Sequence, residues 1–364
     1  MKQLSKLIGY SSPRLILLAS VASFAAILLA ACGQKTPDAS GGGTVAARDS
    51  GGKSSAAATG QNPCSLLEPK EVETVLGATL VGQPYRFNKT GKAGPAADGD
   101  ACRYETADYH VVEIGVEWTG GAQMMKMYGT VQNLADQKMK GMLKLGDGSE
   151  LTGEWDEAKV VSCCTFLAMR GDQVVTVDVA GAKATLEQAA KIADAALKRI
   201  EKPLSVDASA GVAAAIARDA ARPKERNPCS LVSRAEAEVA LEAPLTQDPV
   251  VDGSKCMYTY TVGKFSRSIG LDISWRNGYA QFRQHGAMAA GIGRAFGLGG
   301  DAAQNKKESV APDPALAGPW ESAQVVQDQF SAVKKDVLIT AGSVMGSRER
   351  ELARKLVALA ISKL

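Results

Sequence analysis

The strongest constraint on this chain is that it contains itself twice. Asn62-Pro63-Cys64-Ser65-Leu66-Leu67 returns as Asn227-Pro228-Cys229-Ser230-Leu231-Val232, and Cys102-Arg103-Tyr104 returns as Cys256-Met257-Tyr258. Trp118 with Gly120-Gly121 is answered by Trp275 with Gly278, and Gly153-Glu154-Trp155 by Gly318-Pro319-Trp320. From Phe166 to Ile200 the chain aligns with Phe330 to Leu364 at a constant offset of 164. Blocks that recur in one order over this distance are a duplicated fold, so the sequence predicts two homologous domains, 62–200 and 227–364. The 364-residue length fits that division at roughly 150 residues per domain.

Within one copy, hydrophobic spacing separates helices from strands. Pro69 opens and Gly77 closes a short helix, and Ser233-Arg234-Ala235-Glu236 is a capping box for its counterpart. Residues 101–107 and 110–118 alternate and are rich in Tyr and Val, as strands are. Residues 122–142 read as a long helix. Lys159 to Met169 and Gln173 to Val179 read as two strands turning at Arg170-Gly171-Asp172. Thr185 to Ile200 places Leu186, Ala189, Ile192, Ala193, Ala196, Leu197 and Ile200 at helical spacing. The fold class expected is α+β, with each domain an antiparallel sheet covered by helices. Residues 201–226 read as a linker, whose Ala-rich stretch from Ser209 to Ala221 has the composition of a helix stopped before Pro223.

The N-terminus carries an address. Residues 1–31 hold Lys2, Lys6 and Arg14, no acid, and an uncharged run from Leu15 to Ala30. A basic segment, a short apolar segment and small residues before a cut site form a signal peptide. Leu29-Ala30-Ala31-Cys32 closely resembles the bacterial lipobox. That resemblance implies lipidation of Cys32 after cleavage before it, and Gly33 in the next position implies export to the outer membrane, on its periplasmic or surface face. Residues 32–61 are Gly, Ser, Ala and Thr with scattered charges, the composition of a flexible tether.

Removing the three leader cations from the 42 basic residues leaves 39, matched by 39 acidic ones. A neutral remainder argues against nucleic acid as a partner, since phosphate binding needs clustered cations. The charge is unevenly divided: residues 62–200 have 15 basic and 19 acidic side chains, and residues 227–364 have 16 and 14.

Asn-Pro-Cys-Ser-Leu-Leu before a short helix, then Cys-x-Tyr, then Gly297-Leu298-Gly299-Gly300-Asp301-Ala302, a strand with a charged turn and a final helix resemble a family of small bacterial envelope lipoproteins. The resemblance covers both copies and implies a PsbP-like α/β/α sandwich. It carries no catalytic residue to this chain, and the first copy departs from the glycine motif with Leu145-Gly146-Asp147-Gly148-Ser149.

Of seven cysteines, Cys32 is the lipid acceptor. Cys64 and Cys102 recur as Cys229 and Cys256, which predicts one disulfide within each copy once the chain is exported. Cys163 and Cys164 have Gln327 and Asp328 in their place in the second copy, so the fold does not need them. They read either as a redox or soft-metal site or as a plain pair of thiols or an edge bridge. Met124, Met127, Tyr128, Val131, Leu134 and Met142 form one helical stripe. Tyr279, Phe282, Met288 and Ile292 fill the like region of the second copy, which marks core packing rather than a copper site. His110 and His285 do not align and read as surface or capping histidines. No nucleophile–base–acid set and no cofactor motif stands out. The function expected is a non-catalytic, membrane-anchored binding module for an envelope protein or component, one form of which is a protective inhibitor of an envelope-acting enzyme. The alternative is redox or soft-metal handling at Cys163 and Cys164.

Overall fold

The computed structural model describes residues 61–89, 94–139, 150–207, 209–295, 316–326, 329–342 and 347–364. Cys32 and the whole segment before residue 61 lie outside the described residues, as do Met142, the glycine motif at 297–302, Gln327 and Asp328, and the side chains of Val131, Leu134 and Ile292.

The recurring Asn-Pro-Cys-Ser motif builds a 3-10 turn, Pro63–Ser65 in one half and Pro228–Ser230 in the other. Asn62 Oδ1 accepts the Cys64 N–H at 3.0 Å, and Asn227 Oδ1 accepts the Cys229 N–H at 2.8 Å. Ser65 Oγ donates back to Asn62 O and Ser230 Oγ to Asn227 O, both at 2.6 Å. Proline costs nothing at this first position, where its missing N–H has no partner to lose. The motif therefore encodes local architecture: it aims Leu66, Leu67, Leu231 and Val232 inward, all of them buried.

Among the described residues the first half comprises α1 (Pro69–Leu76), β1 (Tyr85–Asn88), β2 (Gly94–Pro95), β3 (Ala101–Glu105), β4 (Val111–Glu117), α2 (Gly121–Met139), β5 (Glu157–Val160), β6 (Thr165–Arg170), β7 (Gln173–Asp178) and α3 (Leu186–Arg199). The linker forms α4 (Val212–Ala221). The second half comprises α5 (Arg234–Leu241), β8 (Val250–Asp252), β9 (Lys255–Val262), β10 (Phe265–Ser274), α6 (Gly278–Ala295), β11 (Ser322–Val326), β12 (Gln329–Lys334), β13 (Val337–Gly342) and α7 (Ser347–Ser362). The fold is α+β with two antiparallel sheets. Their orders are β2-β1-β3-β4-β7-β6-β5 and β8-β9-β10-β13-β12-β11, the same arrangement with one extra edge strand in the first.

Alternation sorts side chains onto two sheet faces. Phe166, Ala168, Val175 and Val177 meet Ala189, Ile192, Ala193 and Ala196 of α3, while Leu167 and Val174 meet Met125 of α2 on the other face. The second half repeats the first of these layers with Phe330, Ala332, Ile339 and α7. Each half thus closes its own core. Tyr104 Oη donates to Leu67 O and Tyr258 Oη to Val232 O, both at 3.1 Å, tying each 3-10 turn to its sheet. Disulfides Cys64–Cys102 and Cys229–Cys256 join the same turn to the same strand in each half, as the duplication predicts.

Four readings needed correction. Strands β1 and β2 were not anticipated, because Tyr85–Asn88 and Gly94–Pro95 have no alternation long enough to register. The expected strand from Lys159 is two strands, β5 and β6, split by a bend at Val161–Cys164. The methionine stripe holds in part: Met124 and Tyr128 pack against the core around the buried Met125, and Tyr279 is buried in the second half, whereas Met127 is 56% and Met288 59% exposed. His110 is a buried residue, 6% exposed, and lies where the two halves meet.

Candidate functional site

The site that draws on both halves is built around α4. Ala-rich composition makes Val212–Ala221 helical, and Gly211 precedes it at φ +75°, a conformation that favours glycine. Gly211 also leaves no room for a side chain, because a Cβ there would lie 2.7 Å from Gln83 O. The helix is thereby held against β1 and the edge strand β2, with Ala215 buried.

From α4 and its end two arginines, four residues apart, converge on Glu105. Arg218 donates to Val81 O at 2.9 Å and Thr106 O at 3.3 Å, and stands 3.4 Å from Glu105. Arg222, at the helix end, bonds Glu105 of the first half and, at 2.8 Å, Asp336 of the second. Its guanidinium lies 4.5 Å from the Tyr109 ring centroid, a cation–π distance. The side chains of Arg222, Glu105 and Asp336 are 8%, 3% and 6% exposed. Tyr85 adds a hydroxyl 3.3 Å from Glu105. Burial, then the charge of Glu105, push that phenol up to about 12, so it remains a donor.

Asp336 occupies the β12–β13 turn at φ +63°. Its Oδ2 accepts the Asn277 N–H at 2.9 Å and its Oδ1 the Tyr279 N–H at 3.2 Å, so it caps α6 as well as facing Arg222. Burial dominates and holds the Asp336 carboxyl above the ordinary range, although Arg222 and the two N–H groups pull it down. The same turn in the first half places Asp172 against Gly120 and Ala122, at 2.7 and 3.3 Å. That copy is exposed, and the backbone N–H of Gly120 leads in lowering its carboxyl.

A second contact joins the halves beside the first. The His110 ring lies 4.5 Å from that of Tyr279, and its Nε2 stands 3.4 Å from Glu321 Oε2. Burial alone would raise the Glu321 carboxyl, but His110 and the Lys335 N–H hold it below the usual range. Arg283 of α6 donates to Val179 O and Ala182 O, each at 2.7 Å.

On the solvent side of this junction lies a cleft of about 550 Å³. It is lined by Asp108 and Tyr109 of the first half, Lys224 and Arg226 of the linker, and Lys335 of the second. Of the charged side chains that line it, three are cations and one is a carboxylate, and all four are exposed. Sequence reading missed this site, since its residues span from 108 to 335 and each is an ordinary surface residue in its own segment.

Cys163 and Cys164 lie in the β5–β6 bend and are bonded to each other. Cys164 is 1% exposed and Cys163 packs half-buried against the same core. In that state neither sulfur offers a thiolate to a metal. Among the described residues no group of three or more His, Cys, Asp or Glu is placed to hold a metal ion. No helix among them is long and apolar enough to cross a membrane. The four tryptophans serve packing: Trp155 meets Phe166 at 5.3 Å and Trp320 meets Phe330 at 5.1 Å between ring centroids. Comparison with protein-family models, curated proteins and solved structures found no match.

Proposed function

We propose that this chain is a lipid-anchored, non-catalytic binding protein of the bacterial cell envelope, and that the cleft at the junction of its halves receives an anionic group of an envelope protein or component. The observation that carries the reading is the cleft itself. Both halves and the linker contribute to it, and Lys224, Arg226 and Lys335 outnumber Asp108. The lipobox at Leu29-Ala30-Ala31-Cys32 supports the anchor, and the disulfides fit an oxidising compartment.

Two measurements test the two parts. Replacing Cys32→Ala is expected to release the protein from membrane fractions or leave it uncleaved, because several acyl chains at about 0.8 kcal/mol per buried methylene are lost. A variant cut at the same bond that still sediments with membranes would end the anchor reading. Titration with a short poly-glutamate peptide is expected to show binding that weakens with salt, as charges in an open cleft are screened. The double substitution Lys224→Ser, Lys335→Ser should weaken it further. Absence of binding at low salt, or binding indifferent to both lysines, would refute the cleft assignment.

A second reading, redox handling, is favoured by the bond between Cys163 and Cys164 at a sheet edge. Soft-metal binding at the same place requires that bond to be reduced first.

A further inference from the structure

The intramolecular junction is asymmetric: the β3–β4 hairpin end of the first half docks on a face of the second formed by Tyr279, Glu321 and Asp336. Duplication supplies each half with both surfaces, so one of each is left over.

The unused receiving face is on the first half. Hydrogen bonds fix the correspondence. The Gly171 N–H donates to Asp156 Oδ2 at 2.6 Å as the Lys335 N–H donates to Glu321 Oε1 at 2.8 Å. The Asp156 N–H donates to Met169 O as the Glu321 N–H does to Val333 O. Asp172 caps α2 as Asp336 caps α6, with Ala122 in the place of Tyr279. Asp156, Asp172 and Ala122 are all exposed.

The unused hairpin is on the second half. Register fixes this correspondence too: Tyr104 pairs with Val112, and Tyr258 pairs with Ile269. Two residues before these partners stand His110 and Arg267. The second hairpin is three residues longer between the paired positions, and its end is Val262-Gly263-Lys264-Phe265. Val262 is 45% and Phe265 70% exposed, and they sit opposite each other across the strands. No acid occurs from Gly253 to Leu271. Among the described residues neither Lys264 nor Arg267 enters an ion pair.

We infer that this chain associates head to tail with a second copy of itself, the β9–β10 hairpin of one copy docking on the Asp156–Asp172 face of the next. Arg267 then meets Asp156 as His110 meets Glu321 within the chain. Lys264 supplies opposite Asp172 the cation that Arg222 supplies opposite Asp336. Phe265 and Val262 contribute the apolar centre that a docking contact needs. The charge division agrees, since the receiving half carries the excess of acid and the donating half the excess of base. Such a contact is heterologous, so each copy keeps one free donor and one free acceptor, and association proceeds to rings or chains.

The test is sedimentation velocity of the purified full chain in detergent over a concentration series, with circular dichroism melts to show that each variant is folded. Wild type is expected to form species larger than a monomer below about 100 µM, less so in high salt. Arg267→Asp and Asp156→Arg each place like charges together and should weaken association roughly tenfold or more. Mixing those two variants should restore it, because each then offers the surface the other lacks. Phe265→Ser, at a position that bears no core, should weaken association alone. A wild type that stays monomeric overturns the inference. So does association insensitive to Phe265→Ser, which would indicate nonspecific contact, or a mixture no more associated than its parts, which would indicate tip-to-tip contact.

Discussion

Replacing Arg222→Met is expected to destabilise the protein by about 3–5 kcal/mol at neutral pH, the usual cost of removing one partner from a buried ion pair. Among the described residues Arg222 is the one cation that bridges the buried carboxylates of both halves. Without it, Glu105 retains Arg218 at 3.4 Å, but Asp336 faces the junction with only its two backbone donors. The methionine fills similar space, so the loss reports charge rather than cavity. The pH dependence identifies the cause. Burial already raises the Asp336 carboxyl, and losing Arg222 removes the principal opposing charge. A carboxyl raised in the folded state contributes most when protonated, below its unfolded value, and that contribution is lost as pH rises through the folded value. The gap between variant and wild type should therefore narrow on acidification toward pH 4 and below, and widen toward neutrality. Urea unfolding at several pH values measures it. A gap below about 1 kcal/mol, or one independent of pH, would show that the bridge does not hold the halves together.

The second large effect is expected from opening the first-half disulfide. Cys64→Ala with Cys102→Ala frees a loop of 38 residues, for which the chain-entropy relation gives about 4 kcal/mol. Its partner Cys229–Cys256 closes a loop of 27, for which the relation gives about 3.5 kcal/mol. Both bonds fasten a 3-10 turn whose next two residues are core, so the turn and the buried tyrosine above it lose their mutual restraint. Calorimetry of the double variant should show the melting temperature of the affected half lowered by roughly 10 °C. A fall of only a degree or two would mean that the hydrogen bonds from Asn62 and Tyr104 hold the turn without the bridge.

The two predictions probe features of different legibility. The duplicated disulfides, the Asn-Pro-Cys-Ser turn, the capping box at Ser233 and the closing Gly77 were all readable, because each depends on residues close in the chain or repeated at matching places. Hydrophobic period likewise located α3, β4 and β7, whose buried faces follow their own local geometry. Period located the long helix α2 and put Met124 and Tyr128 on its packed side, but it missed Met125 and turned the exposed Met127 inward. A stripe of methionines fits a helix at more than one rotation, and the packing of Met125 on Leu167 and Val174 decides among them.

The junction belongs to the other class. Arg222 lies in an Ala-rich linker and looks like one more solvated charge, and His110 and Asp336 look like turn residues. Their partners stand 114 positions away for Arg222 with Asp336 and 117 for Arg222 with Glu105. Local sequence carries no signal for such pairs, because burial there is created only when two finished cores meet. The sequence alone determined that two copies of one α+β fold would form, each with its own bridge. Only the tertiary structure decided which hairpin of which copy is covered, because docking two related but differently charged surfaces is a matter of through-space electrostatics and shape.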